Sequence, residues 1–146
     1  MDSMTLTAAI FRELGIIQER VDAILKARLH ADLPTSQFKL LNHLIFTTNT
    51  DETASEIAHN FHVSLSAMSQ IIKQLRQKGF VDVHPRKQDT RKKNLFITDL
   101  GRSAHQQAIA DIDIDISGFS EKFSLTELQQ LYALNKQFRL SFEEHV

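Results

Sequence analysis

The stretch HPRKQDTRKKN, residues 84 to 94, gathers five cations, Arg86, Lys87, Arg91, Lys92 and Lys93, around a single acid, Asp89. Positive charge gathered this densely suggests a site that holds polyanions. Duplex DNA presents a dense row of phosphates, and cations on a protruding loop can reach those lining the minor groove, where an inserted Arg also senses groove width. Asp89, two residues from Arg91, can fix the direction of that guanidinium through a charge-assisted hydrogen bond. A solvated hairpin tip would tolerate the same composition, so the meaning of the loop depends on what stands next to it.

What precedes it is SLSAMSQIIKQLRQKG. Met68, Ile72 and Leu75 recur at helical steps and form one buried stripe, while Ser64, Ser66, Ala67, Ser69, Gln70 and Lys73 lie on or near the exposed side. Gln pairs bidentately with adenine, Ser bonds to bases or phosphate, and the Ala methyl can meet the thymine methyl. No Arg stands in the first turns, so specificity should lean less on guanine contacts and more on DNA shape. Each serine also has the plainer role of capping or solvating a helix.

The elements around these residues give them positions. Thr53 and Glu56 have the spacing of a capping box, which predicts a short helix from Thr53 to about Asn60, and Ser64 is a good N-cap for the helix that follows. Gly79 is its expected stop. Two helices joined by a few residues make a helix-turn-helix. Phe80, Val81 and Val83 suit a short strand, Leu95 and Ile97 a second, and the basic loop joins them into a hairpin, a wing.

Helices flank this core. Leu6, Ile10, Leu14, Ile17, Val21, Leu25 and Leu29 share one face of a long amphipathic helix that ends near ADLPTS, and TSQFKLLNHLIF forms the next helix, to about Phe46. AIADIDIDISG alternates like a strand, but Ile109, Ile112 and Ile116 also fit helical steps, and Thr98 can cap a helix from Asp99, so we read it as helix. SLTE repeats the capping-box spacing between Ser124 and Glu127 and opens a last helix expected to bury Leu128, Leu131, Leu134, Phe138 and Phe142.

Composition excludes other chemistries. The chain of 146 residues has no cysteine, hence no thiol nucleophile, disulfide or cysteine-ligated zinc. Its seven histidines, His59 and His62 among them, show no metal-ligand spacing, and no Ser, His and acid set has a signature context, so we expect no enzyme, no metal and no cofactor. The net charge of −1 conceals a division: residues 35 to 102 carry ten Lys or Arg against six Asp or Glu, and the rest carry seven against twelve. The start of the chain lacks a secretory pattern, and no apolar run approaches the roughly 20 residues of a membrane helix, so a soluble cytoplasmic protein is expected.

SQFKLLNHL, TASEIAHNFHVSLSAMSQIIKQLRQKGFV, and above all Asp89 and Arg91 followed by NLFITDLG with Thr98 and Gly101, resemble the MarR family of bacterial transcriptional regulators, over nearly the whole chain. The resemblance implies a mainly α fold with a small β-wing: a winged helix-turn-helix core, residues 35–100, between dimerisation segments 1–33 and 101–146, all in one domain, 1–146. It implies a homodimer that binds double-stranded DNA at an inverted repeat as a repressor, released by a small aromatic or phenolic effector. The long apolar stripes of the first and last helices agree with a dimer independently. Phe11, His30, Phe38 and His43 are candidates to line an effector pocket, against the plainer role of core or dimer interface.

Some residues depart from the family pattern. Thiol-based sensing is excluded, and Phe38 and Lys39 stand near where zinc-sensing relatives need ligands, although His30, His43 and His105 lie in comparable regions. Pro34 replaces a capping Thr, a task that should pass to Thr35. The rival reading is a winged-helix module that binds protein and not DNA.

Overall fold

Asp2 opens the first helix: its carboxylate accepts from the Thr5 amide at 2.8 Å, which also holds its pKa below the ordinary value. The computed structural model describes residues 1–47, 52–85 and 93–144, with α1 at Ser3–Arg28, α2 at Thr35–Phe46, α3 at Ala54–Asn60, α4 at Leu65–Gln77, β1 at Val81–Pro85, β2 at Lys93–Ile97, α5 at Asp99–Ile116, α6 at Phe119–Lys122 and α7 at Leu125–Glu143. The chain divides into two units, residues 1–112 and 113–146.

In the first unit the core is built from α2 to α5 and the two strands, joined by Leu25 of α1 and by Leu33, with Leu40, Leu41, Ile57, Met68 and Leu75 fully buried. Burial of each such side chain contributes about 1.5–3 kcal/mol. The strands pair antiparallel, Val81 with Ile97 and Val83 with Leu95, so these four side chains share one face. Val81, Leu95 and Ile97 are buried there, while Asp82, His84, Asn94 and Phe96 take the other face. His84 and Phe96 stack across it with ring centroids 4.2 Å apart.

Helix α1 meets α2 through an Asp22–Lys39 ion pair of 2.7 Å. Of its apolar stripe only Leu25 is buried; Leu6, Ile17 and Val21 are exposed. Thr35 does not take over capping. Pro34 occupies the N-cap of α2 with no side-chain cap bond, and Thr35 is already helical, too far along to satisfy the first amides in the usual way.

α5 is helical through AIADIDIDI, with Ala108 and Ile112 buried, so the alternating acids do not make a strand. In the second unit α7 begins with the expected capping box, Ser124 and Glu127 exchanging bonds of 3.0 and 3.1 Å. Its apolar residues are a correction. None is buried: Leu131, Leu134 and Phe142 are 56%, 55% and 59% exposed, and Leu128 and Phe138 are partly covered. Helical spacing correctly assigns a shared face, but burial needs an opposing surface, which spacing does not specify.

Candidate nucleic-acid interface

The turn between α3 and α4 sets the angle at which α4 is presented. Thr53 and Glu56 form their capping box with two bonds of 3.3 Å. At the other end of α3, His62 N–H donates to the His59 carbonyl and Val63 N–H to the Ala58 carbonyl, both at 3.1 Å, with His62 in the left-handed region at φ 55°. This is a Schellman closure, with a histidine where glycine is usual. Ser64 then caps α4, accepting from the Ala67 amide at 3.0 Å.

The far end of α4 closes in the same way. Phe80 N–H donates to the Leu75 carbonyl at 2.9 Å and Gly79 N–H to the Arg76 carbonyl at 3.0 Å, with Gly79 at φ 76°. Between the two closures Met68, Ile72 and Leu75 face the core, and Ser64, Ser66, Ala67, Ser69, Gln70 and Lys73 are all exposed. The six residues expected to read DNA therefore lie open on one capped helix.

Thr98 organises the foot of the hairpin. Thr98 Oγ1 donates to the Gly79 carbonyl at 2.6 Å and accepts from the Gly101 amide at 3.0 Å, which joins the end of α4 to the start of α5 across the foot of the hairpin. Arg86, Lys87, Asp89, Arg91 and Lys92 lie outside the described residues, as does the side chain of Lys93. Between α4 and the hairpin runs a groove of about 710 Å³, lined by Ser69, Lys73, Arg76 and Gln77 on one side and Asp82 and Val83 on the other. Sequence spacing does not single out Arg76, because a cation in the last turn of a helix ordinarily complements the helix dipole.

The four residues expected to line an effector pocket go to different places. Phe11 and His30 are exposed, His30 lying 3.3 Å from Asp32. Phe38 is buried and stacks on His105 at 5.6 Å, and His105 Nε2 lies 2.9 Å from Asn42 Oδ1; burial holds the His105 pKa below its ordinary value. His43 bonds Glu52 at 2.8 Å and meets Phe61 edge-on. None of the four lines the α4–hairpin groove. Among the described residues no group of three His, Asp or Glu side chains could hold a metal ion, and no helix is long and apolar enough to cross a membrane.

Comparison with known proteins meets the same region. The family model described as the MarR family matches residues 33–93. YybA of Bacillus subtilis, an uncharacterised HTH-type transcriptional regulator, is 23% identical over 138 residues, which cover 92% of this chain and 91% of YybA. Among solved structures, the transcriptional regulator BldR of Sulfolobus solfataricus has a TM-score of 0.71 at 19% identity, covering 94% of this chain and 98% of BldR. A mutant MarR of Escherichia coli complexed with operator DNA has a TM-score of 0.60 at 21% identity, covering 94% of this chain and 99% of the other.

Proposed function

We propose that the chain, whose residues 33–93 match the MarR family model, is a transcriptional regulator of that family and works as a homodimeric repressor that reads an inverted-repeat operator. The observation that carries this reading is α4: a helix capped at both ends, apolar inward, with Ser66, Ser69, Gln70 and Lys73 outward, immediately before a hairpin whose connecting sequence holds a cluster of cations. In such an assembly the helix enters the major groove and two-fold symmetry sets half-sites about one helical turn, roughly 10 bp, apart.

Within that reading Gln70 reads a base edge, the serines and Lys73 hold bases and phosphates, and Arg86, Lys87, Arg91, Lys92 and Lys93 reach the minor groove, with Asp89 steering Arg91. The exposed apolar residues of α1 and α7, Ile17, Val21, Leu131 and Leu134, are the surfaces a second copy would cover. Release by a small aromatic or phenolic effector, work in the cytoplasm and the absence of catalysis are suggested by the resemblance to the family and belong to the same proposal.

Selection from a randomised duplex pool at near-physiological salt tests it. Enrichment of an inverted repeat is the expected result, with affinity that falls steeply as salt rises because bound cations release counterions. Duplex binding that ignores salt, or no binding at all, would favour a protein-interaction module instead.

A further inference from the structure

We infer that Arg76 is a phosphate-binding residue of the DNA interface and that Asp82 is its positioning residue. The inference rests on the DNA reading above and adds a site to it. If α4 lies in the major groove and the hairpin loop reaches the adjacent minor groove, one sugar-phosphate strand must cross the surface between them, since a single backbone separates the two grooves. The structure has an open groove there, lined by Lys73 and Arg76 from α4 and by Asp82 from β1.

Two observations distinguish Arg76 from an ordinary helix-end cation. Its side chain is about half exposed, and Arg76 Nη2 stands 3.7 Å from Asp82 Oδ1. That same oxygen accepts from the Val83 amide at 2.8 Å, which ties the carboxylate to the strand backbone. A guanidinium offers five N–H donors in a planar fork. One edge turned towards Asp82 leaves the rest of the fork for a phosphate, and the direction of that fork is set by the hairpin.

Asp82 is otherwise hard to reconcile with a surface that meets phosphates. An acid there repels the backbone unless a cation offsets it, and Arg76, 3.7 Å from Asp82, is a cation beside it. Arg76 also makes the groove sensitive to the hairpin's position: if β1 shifted away from α4, the guanidinium would lose its guide while the base-reading face of α4 stayed intact.

The test uses the full chain with a selected operator and a random duplex, with affinity measured over a range of salt for the parent, Arg76→Ala, Asp82→Asn and the double variant. Arg76→Ala should weaken binding to both duplexes by the same factor, about tenfold, and make the slope of log K against log salt shallower by about 0.9, because one fewer phosphate is neutralised. Asp82→Asn should weaken binding in the parent but not in the Arg76→Ala background. Parental affinity and slope in Arg76→Ala would overturn the inference while leaving the DNA reading standing. Tighter binding by Asp82→Asn would overturn the positioning role, because it would make Asp82 only a repellent charge. A parent that binds neither duplex would sink the DNA reading and this inference together. Both side chains are half exposed, so coincident thermal melts will show that each variant is folded.

Discussion

Gln37 Nε2 donates to Gln74 Oε1 at 2.9 Å, while Gln37 Oε1 accepts from Lys78 Nζ at 2.6 Å and the same ammonium donates to the Asp32 carbonyl. Among the described residues Gln37 is one of two buried polar side chains, with His105. Its amide therefore ties the start of α2 and the α1–α2 corner to the last turns of α4. Gln37→Ala should lower unfolding free energy by about 1–3 kcal/mol through the unmade bonds, measured by denaturant titration, and should also weaken operator binding. Unchanged affinity at reduced stability would show that the link serves the core alone.

On the DNA-facing surface two substitutions should separate by kind. If Arg91 contacts a phosphate as proposed, Arg91→Ala should weaken binding on all sequences and flatten the salt slope. If Gln70 reads a base as proposed, Gln70→Ala should cost about 1–3 kcal/mol on the operator and relax preference at one base position. Equal losses on operator and random duplex for Gln70→Ala would contradict its role, and parental binding by Arg91→Ala would contradict that of the wing.

Backbone geometry gives a pair of opposite outcomes. A Cβ on Gly101 would stand 2.0 Å from the Phe80 carbonyl oxygen and 2.8 Å from Ile97 Cγ1, so Gly101→Ala must displace backbone and should destabilise by about 3 kcal/mol or more. His62 holds a left-handed conformation that costs an L-residue roughly 1–2 kcal/mol, so His62→Gly should recover a part of that, about 0.5–1 kcal/mol. Thermal melts of the two variants should move in opposite directions.

His105 supplies a pH dependence. Burial lowers its folded pKa below 6.5, so the unfolded chain binds the proton more readily. The stability tied to neutral His105 is complete above about pH 6.5 and is lost as pH falls through the folded value. A His105→Gln variant, whose amide can still meet Asn42, should show a flatter loss of stability below about pH 6.5 than the parent in paired denaturant titrations. Identical pH profiles would remove His105 from the account.

Leu131 and Leu134 are exposed on α7. If a second copy covers them, Leu131→Asp with Leu134→Asp should convert a dimer into a monomer in sedimentation experiments and cost most of the operator affinity, because half-sites bind cooperatively only when linked. A variant that sediments like the parent would place the interface elsewhere.

Much of this arrangement is legible in the residues themselves, and the reason is local. Thr53 with Glu56, Ser64, Ser124 with Glu127, and Gly79 each act within a few residues of their own position, and each does what its type and spacing predict. The Gln37–Gln74 bond, the Arg76–Asp82 pair and the Phe38–His105 stack are not legible there, since the first and last join residues far apart in the chain and all three depend on how elements pack. Thr35 and the stripe of α7 mislead for a related reason: a suitable side chain or spacing does not supply the neighbour it would need.

The two hydrogen bonds of the Thr98 hydroxyl, to the Gly79 carbonyl and the Gly101 amide, have a mechanical consequence. Together with the Gln37 link they fasten α4 at its C-terminal end to both α2 and α5. In the dimer proposed above, such ties would let α4 shift together with α2 and α5, without reshaping α4 itself. If the protein is a regulator built from two such units, altering the span between them would switch it, so the register of two helical ends along the duplex, and not the chemistry of either end, would be the regulated quantity.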